Sequence, residues 1–498
     1  MNRVPDLRTL QRIHPDLTAE YLEYQKLLPL GVDDGALLTA TWVDAPDLQA
    51  LDDLAMLCRV PVRLTQLPED DVRATIRRLY SGEILSEEDL AGDEETLIAA
   101  RTDGDPALDD LVSLANEAPV VKLVNLILLE AVESRASDVH LENESSALRV
   151  RYRVDGVLQD QPSPPVHLRA AIVSRLKIMA ELDIAERRVP QDGRIRLRMR
   201  DRQVDVRVST LPALHGESVV LRLLDKEAGR IGLEEIGMAD DVRAAFERAI
   251  SRPHGIVLAT GPTGSGKTTT LYAAIDHIRT GREKILTVED PVEYELRGVP
   301  QVQVNDRVGL TFAAALRALL RQDPDVMLVG EIRDRETADI ATHAALTGHL
   351  VLSTLHTNDA ATALTRLIDL GIAPYLACST VEAVLAQRLV RRVCGACAEE
   401  VACTPAELGT LERYGVRSIR RGPGCAGCRG TGYRGRTGIY ELLVLNDAIR
   451  ENLQNERSAR ELTGLAIEAG MRTLWEDGIR KIVAGVTTPE EVLRVTRA

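Results

Sequence analysis

No run of about 18 uncharged apolar residues occurs in this 498-residue chain, so the sequence offers no helix built to cross a membrane. The nearest approach, Ala118 to Val132, is interrupted by Lys122, Asn125 and Glu130. Its apolar residues recur at helical spacing, which predicts an amphipathic core helix instead. A basic-then-apolar leader is also absent, and the expectation is a cytoplasmic chain whose membrane attachment comes through a partner. Excess positive charge is lacking: the net charge is −15. That argues against a general nucleic-acid binder, because phosphate contacts need clustered Lys and Arg. No internal repeat is visible. Cysteine is scarce outside one region. Cys58 and Cys378 stand alone in apolar surroundings and read as inert core residues, whereas the other five crowd between Cys394 and Cys428. In a cytosolic chain such crowding points to metal before disulfide.

The length exceeds what one hydrophobic core serves, so several domains are expected. Residues 1–82 form a small module of mixed pattern. Residues 83–110 are acidic and rich in small residues, as linkers are. A second module spans 111–228. There Arg194, Arg196, Arg198 and Arg200 alternate with Ile195, Leu197 and Met199, which predicts a strand with one arginine face and one apolar face. The segment around Asp201 reads as a hairpin turn. A glycine-bearing linker at 229–239 leads to residues 240–390, where short apolar runs (GIVLAT, KILTVED, VMLVGEI, HLVLSTLH) alternate with helical stretches. That alternation predicts an α/β fold, a parallel sheet with helices on both faces. A cysteine-rich lobe at 391–440 and a helical tail at 441–498 follow.

The strongest motif is GPTGSGKT, Gly261 to Thr268, directly after GIVLAT and before a helical stretch. A strand delivers the chain to a loop in which Gly261, Gly264 and Gly266 turn backbone N–H groups inward, and a helix N-terminus completes a cradle for phosphate oxygens. Pro262, Thr263, Ser265 and Thr269 belong to the same phosphate-binding stretch. Lys267 is placed to reach the β- and γ-phosphates of ATP, and Thr268 to hold Mg²⁺. Binding alone does not hydrolyse a phosphoanhydride. Hydrolysis needs carboxylates near the metal and the attacking water, and Glu289 and Glu331 stand at strand ends, where ligands bind in open parallel sheets. His356 stands at another strand end, and His349 opens the same strand.

Cys394-Gly-Ala-Cys397 and Cys425-Ala-Gly-Cys428 form two CxxC knuckles. Each places two thiolates on one metal from a tight turn, and the pair completes a closed tetrahedral site suited to structural zinc. Cys403 is a spare. A redox CxxC is disfavoured because such motifs open a helix after a strand.

Together these strings resemble the secretion ATPases: those of type II secretion and their relatives that extend or retract type IV pili. APVVKLVN and SRASDVHLE resemble the family's second N-terminal domain. VDVRVSTLP and GESVVLRLLD resemble its arginine-bearing strands, ILTVEDPVEY its Asp box, LRQDPDVMLVGEIRD its Walker B and TGHLVLSTLHTNDA its His box. The tetracysteine lobe and GMRTLWEDGIRKIVAGVTTPEEVLRVT are similar to the secretion and pilus-extension branch.

The resemblance implies a multidomain protein with a RecA-like P-loop ATPase core, a preceding α+β (PAS-like) domain and a tetracysteine zinc lobe. It implies Glu289 as general base, Glu331 as a Mg²⁺ ligand through water and His356 as a γ-phosphate sensor. Arg207 and Arg222 would reach the phosphates from the preceding domain. It also implies a homo-hexamer at the cytoplasmic face of the inner membrane. There the N-terminal domain would dock on a bitopic secretion protein, and the motor would drive a polytopic platform that pushes a pseudopilus outward. The alternatives are a pilus-extension ATPase and, more distantly, a nucleic-acid translocase on the same core.

Overall fold

A computed structural model describes residues 24–33, 36–43, 46–58, 60–69, 72, 118–199, 202–225, 231–455 and 458–496. The acidic linker expected at 83–110, the hairpin turn at Asp201 and Gly229 lie outside the described residues. The chain divides into two compact units: Met1–Val154 with Leu158–Asp225, and Asp155–Val157 with Lys226–Ala498.

In the first unit, β1 (Leu27–Asp33), β2 (Ala36–Thr41), α1 (Leu48–Cys58) and β3 (Val62–Gln66) form a small module. Its sheet runs β1–β2–β3, antiparallel then parallel. Leu27, Leu28, Leu37 and Leu54 make a core of its own.

The second module comprises α2 (Ala118–Glu133), β4 (Ala136–Asn143), β5 (Leu148–Val154), β6 (Val157–Gln161), α3 (Arg169–Met179), β7 (Gln191–Met199), β8 (Arg202–Ala213) and β9 (Gly216–Asp225). Its sheet has the order β6–β5–β4–β9–β8–β7. The stretch read as an amphipathic helix is α2. Val120, Val124 and Leu128 of α2 and Ile172 and Leu176 of α3 share a core with Val139, Leu141, Val150, Val206 and Leu221 of the sheet. The period of two places Ile195 and Leu197 in that core and leaves Arg194 and Arg196 exposed. Met199 pairs with Arg202, so β7 and β8 do form the expected hairpin.

The second unit opens with α4 (Asp240–Ile250), β10 (Gly255–Thr260), α5 (Lys267–Ile278), β11 (Ile285–Glu289) and β12 (Gln301–Gln303). It continues through α6 (Phe312–Leu319), β13 (Val326–Val329), α7 (Arg335–Leu346), β14 (Leu350–Leu355), α8 (Ala360–Asp369), α9 (Pro374–Thr380) and β15 (Val381–Val393). The lobe carries β16 (Glu399–Ala402), α10 (Pro405–Leu411) and β17 (Ser418–Arg421). Then come β18 (Tyr433–Val444), α11 (Asp447–Gln454), α12 (Ala459–Glu468), α13 (Leu474–Val483) and α14 (Pro489–Thr496).

The four apolar runs read as strands are β10, β11, β13 and β14. They lie in a seven-stranded sheet ordered β12–β11–β13–β14–β10–β15–β18, parallel throughout except for β18. Alternate strand residues feed two cores, Ile256 and Leu258 with Val351 on one side, Val257 and Ala259 with Leu352 and Tyr272 on the other. Both faces are therefore covered, as the alternation of strands and helices requires.

Three boundaries differ from the sequence reading. β15 and β18 are not separable from helical pattern by sequence, because β15 is buried on both faces and shows no alternation. The expected edges of the cysteine-rich lobe at 390 and 440 fall inside these two paired strands, so the lobe is an insertion between neighbouring strands of the main sheet. The stretch expected to be a linker before residue 240 packs Leu233, Ile236 and Met238 into the core beside Phe246.

Candidate active site and metal centre

β10 ends at Thr260, between β14 and β15. Thr260 anchors this end of the sheet: its hydroxyl lies 2.7 Å from the Thr357 hydroxyl and accepts from the Thr357 N–H at 2.9 Å. The loop then turns through positive φ at Gly261 (147°), Gly264 (78°) and Gly266 (89°), and Gly266 caps α5. A Cβ on Gly261 would stand 2.6 Å from the Gln387 carbonyl and 2.7 Å from Ser265 Oγ, so no side chain fits there. Lys267 folds back over the loop, its ammonium donating to the Gly261 carbonyl at 2.7 Å and the Pro262 carbonyl at 3.1 Å. Burial lowers Lys267 to about 8; nearby Glu331 opposes the fall and Arg388 adds to it. Ser265 Oγ is buried without a hydrogen-bond partner, and Thr268 and Thr269 are half-buried on the first turn of α5. An unmet donor, a loop of positive-φ glycines opening a helix N-terminus and a poised ammonium fit an anionic phosphate chain with its magnesium.

β14 ends beside β10, and β13 beside β14. Ser353 and Thr354 hold the end of β13, donating to the carbonyls of Val329 (2.7 Å) and Gly330 (2.8 Å), and the Ile332 N–H donates back to Thr354 (3.0 Å). These bonds aim Glu331 at the loop after β14, where His356 Nε2 lies 3.2 Å from its Oε2. Arg333, not foreseen from the sequence, pairs with the other Glu331 oxygen and lies 3.8 Å from Asp290. His349, at the opposite end of β14, bonds the Ala344 carbonyl and is remote from this cluster.

Glu289 belongs to a separate network. Only 3% exposed, it accepts from Tyr272 at one oxygen and from Thr287 (2.6 Å) and Gln301 (3.1 Å) at the other. Burial, then the Glu289 charge, raises the Tyr272 hydroxyl well above its usual range. Gln301 also donates to the Tyr294 carbonyl and accepts from the Leu296 N–H at 2.7 Å, clamping the loop after β11. Both oxygens of Glu289 thus accept from neighbouring side chains, and action as a general base would exchange one of these donors for the attacking water.

In the first unit Arg207 stands opposite Arg222 on β9 and Arg194 on β7, so three arginines lie abreast across the sheet. Arg222 pairs with Asp138 at 3.0 Å.

The four knuckle cysteines converge, all four sulfurs within 4.8 Å of one another. Three separations are 4.0 Å (Cys394–Cys425), 3.9 Å (Cys397–Cys428) and 3.7 Å (Cys425–Cys428). Four sulfurs at about 2.3 Å from a tetrahedral zinc stand about 3.8 Å apart, so the cage has the right size. The N–H groups of Cys425 and Gly432 donate to Cys428 Sγ at 3.1 and 3.3 Å. Burial pushes that thiol up, but these N–H groups and the neighbouring thiols bring it down to about 6, suiting it to ligate as thiolate. Cys403 is not among the four; it packs with Leu411, Val416 and Ile419. Cys378 is buried as expected, and the Cys58 side chain lies outside the described residues.

Comparison with known proteins is consistent with this geometry. The family model described as Type II/IV secretion system protein matches residues 113–494, and the MshEN domain model matches residues 3–84. Type II secretion system protein E of Pseudomonas aeruginosa is 54% identical over 412 residues, covering 82% of each chain. The type IV pilus assembly ATPase PilB of Myxococcus xanthus is 45% identical, over 97% of this chain and 87% of its own. Among solved structures, the pilus retraction motor PilT with bound ADP is 27% identical with a TM-score of 0.52, covering 76% of this chain and 97% of its own. The ATPase DotB of Legionella pneumophila, at 23% identity and a TM-score of 0.56 over 76% of this chain and 96% of its own, shares the fold.

Proposed function

The chain belongs to the Type II/IV secretion system protein family and is an ATPase of that family, and on that premise we propose that it is the ATP-hydrolysing motor of a type II protein secretion system. The observation that carries the chemical part is the convergence of Glu331 and His356, at adjacent strand ends, with Lys267 on a glycine-rich loop that holds an unmet Ser265 hydroxyl. Similarity to type II secretion proteins over most of the chain supports the biological part.

The residues divide the work as follows. The N–H groups of residues 264–268 hold phosphate oxygens. Lys267 leaves the Gly261 and Pro262 carbonyls for the β- and γ-phosphates, which relieves the cost of its buried charge. Thr268 and Glu331 would hold Mg²⁺, which supplies charge neutralisation on the transferred phosphoryl group. Glu331, joined to His356, is our choice to orient the attacking water, and Glu289, held by Tyr272, Thr287 and Gln301, is the alternative general base. His356, hydrogen-bonded to Glu331, senses the γ-phosphate. Arg207 and Arg222 add positive charge from the preceding domain. The four cysteines hold zinc.

In this reading the protein works as a homo-hexamer at the cytoplasmic face of the inner membrane. Among the described residues no helix is long and apolar enough to cross a membrane, so docking falls to the N-terminal module and a bitopic secretion protein. The motor stroke acts on a polytopic platform. The test is capture from detergent-solubilised membranes with the full chain as bait. A bitopic secretion protein supports the reading; a pilus platform transfers the chain to pilus extension. Stimulation of turnover by DNA would instead favour a translocase.

A further inference from the structure

Past Ala386, opposite Thr260, β15 continues beneath the phosphate loop. Gln387 donates to the Ser265 carbonyl at 2.7 Å, and its own carbonyl abuts Gly261. The next residue, Arg388, is 6% exposed. Its Nη1 donates to the Gln387 carbonyl at 3.1 Å and would lie 3.1 Å from a Gly261 Cβ. Its Nη2 donates to the backbone and side-chain oxygens of Asn358, at 3.0 and 3.2 Å. Asn358 lies two residues beyond His356 on the same loop. One planar guanidinium thus touches the floor of the phosphate cradle with one nitrogen and the His356 loop with the other.

We propose that Arg388 is a positioning residue that locks the phosphate loop to the His356 loop, so that phosphate held at Lys267 sets His356 and Glu331 in their working geometry. The fork is the reason for arginine: its rigid plane serves acceptors on both sides at once, which a lysine ammonium on a flexible stem does not. The hydrogen bonds named all go to neutral oxygens, while the charges of Glu441 and Asp359 offset part of the cost of burying the guanidinium. A triphosphate on the loop above would add a further anion beside it.

This inference rests on the ATPase reading, and the test separates the two. Steady-state turnover of the full chain is measured for wild type, Arg388→Lys, His356→Gln and the double variant, with Lys267→Ala as control. Arg388→Lys is expected to lower kcat about tenfold or more while leaving the KM for ATP within about threefold. In the His356→Gln background it should add less than about a twofold loss, because both substitutions break one unit. Multiplicative losses, or a loss confined to KM, overturn the inference. Should Arg388→Lys fail to fold, Asn358→Ala replaces it in the cycle; it removes the 3.2 Å side-chain bond and leaves the backbone one, so a smaller loss of kcat, again less than multiplicative with His356→Gln, is expected, and a multiplicative loss overturns the inference. Wild-type turnover no faster than Lys267→Ala would strike at the ATPase reading itself.

Discussion

His356 Nε2 lies 3.2 Å from Glu331 Oε2, joining the ends of two adjacent parallel strands, β14 and β13. The contact ties the residue we propose as γ-phosphate sensor to the carboxylate whose charge acts on the Lys267 ammonium. In the proposed mechanism a change in the loop after β14 reaches Glu331 through this hydrogen bond.

Glu331→Gln keeps the shape of this contact and removes the charge. Turnover should fall about 100-fold or more, the range expected when an acid–base or metal-holding carboxylate is lost. Affinity for a fluorescent ATP analogue should stay within a few-fold. A variant that turns over normally would remove Glu331 from the chemistry.

Glu289→Gln discriminates between a base and a buried support. The amide offers one acceptor where the carboxylate offers two, so either Tyr272 must turn from donor to acceptor or Thr287 and Gln301 face a donor, and stability should drop by about 1–3 kcal/mol in urea unfolding. Its kcat should fall far less than that of Glu331→Gln. A well-folded Glu289→Gln that loses more turnover than Glu331→Gln would return the base role to Glu289.

Lys267 makes stability depend on pH. Its folded value, about 8, lies below the ordinary lysine value of 10.5, so between the two the unfolded chain binds more protons than the native one. The charged ammonium thus costs native stability fully below about pH 8, and the cost fades as pH rises toward the unfolded value. Nucleotide-free Lys267→Met should therefore unfold at higher urea than wild type at pH 7, with the difference shrinking by pH 10. It should show no turnover. A lower midpoint than wild type at pH 7 would contradict the assignment.

The tetracysteine cage should contain one zinc per chain by elemental analysis. Cys428→Ser should cut that content by more than half and lower the thermal midpoint, since the ligands join two knuckles that are otherwise held by short turns. Full-length protein purified under reducing conditions with no bound metal would refute it.

Some of this architecture was legible in the letters. GIVLAT followed by GPTGSGKT placed β10, the loop and α5 correctly, because consecutive residues encode them: a fully apolar run, glycines where φ is positive, a helix former after the last glycine. The alternation of arginine and apolar residues after Gly193 placed β7, and the two CxxC knuckles found their partners. By contrast, VEAVLAQRLVRRV gave no readable period, since a strand buried on both faces hides its alternation. Glu289 looked as exposed to the site as Glu331, because both end strands. Only side-chain packing distinguishes them: Glu289 turns toward Tyr272 on α5, and Glu331 toward His356.

By itself, then, the sequence determined the local devices: the phosphate cradle, the metal knuckles and the parallel strands, each of which needs only neighbouring residues and their backbone preferences. Tertiary structure decided which devices share a site. Sheet order sets β10 between β14 and β15, and that order arises from burying two apolar faces at once, a condition no short stretch of chain carries. It brings His356 to Glu331 and Arg388 beneath Gly261.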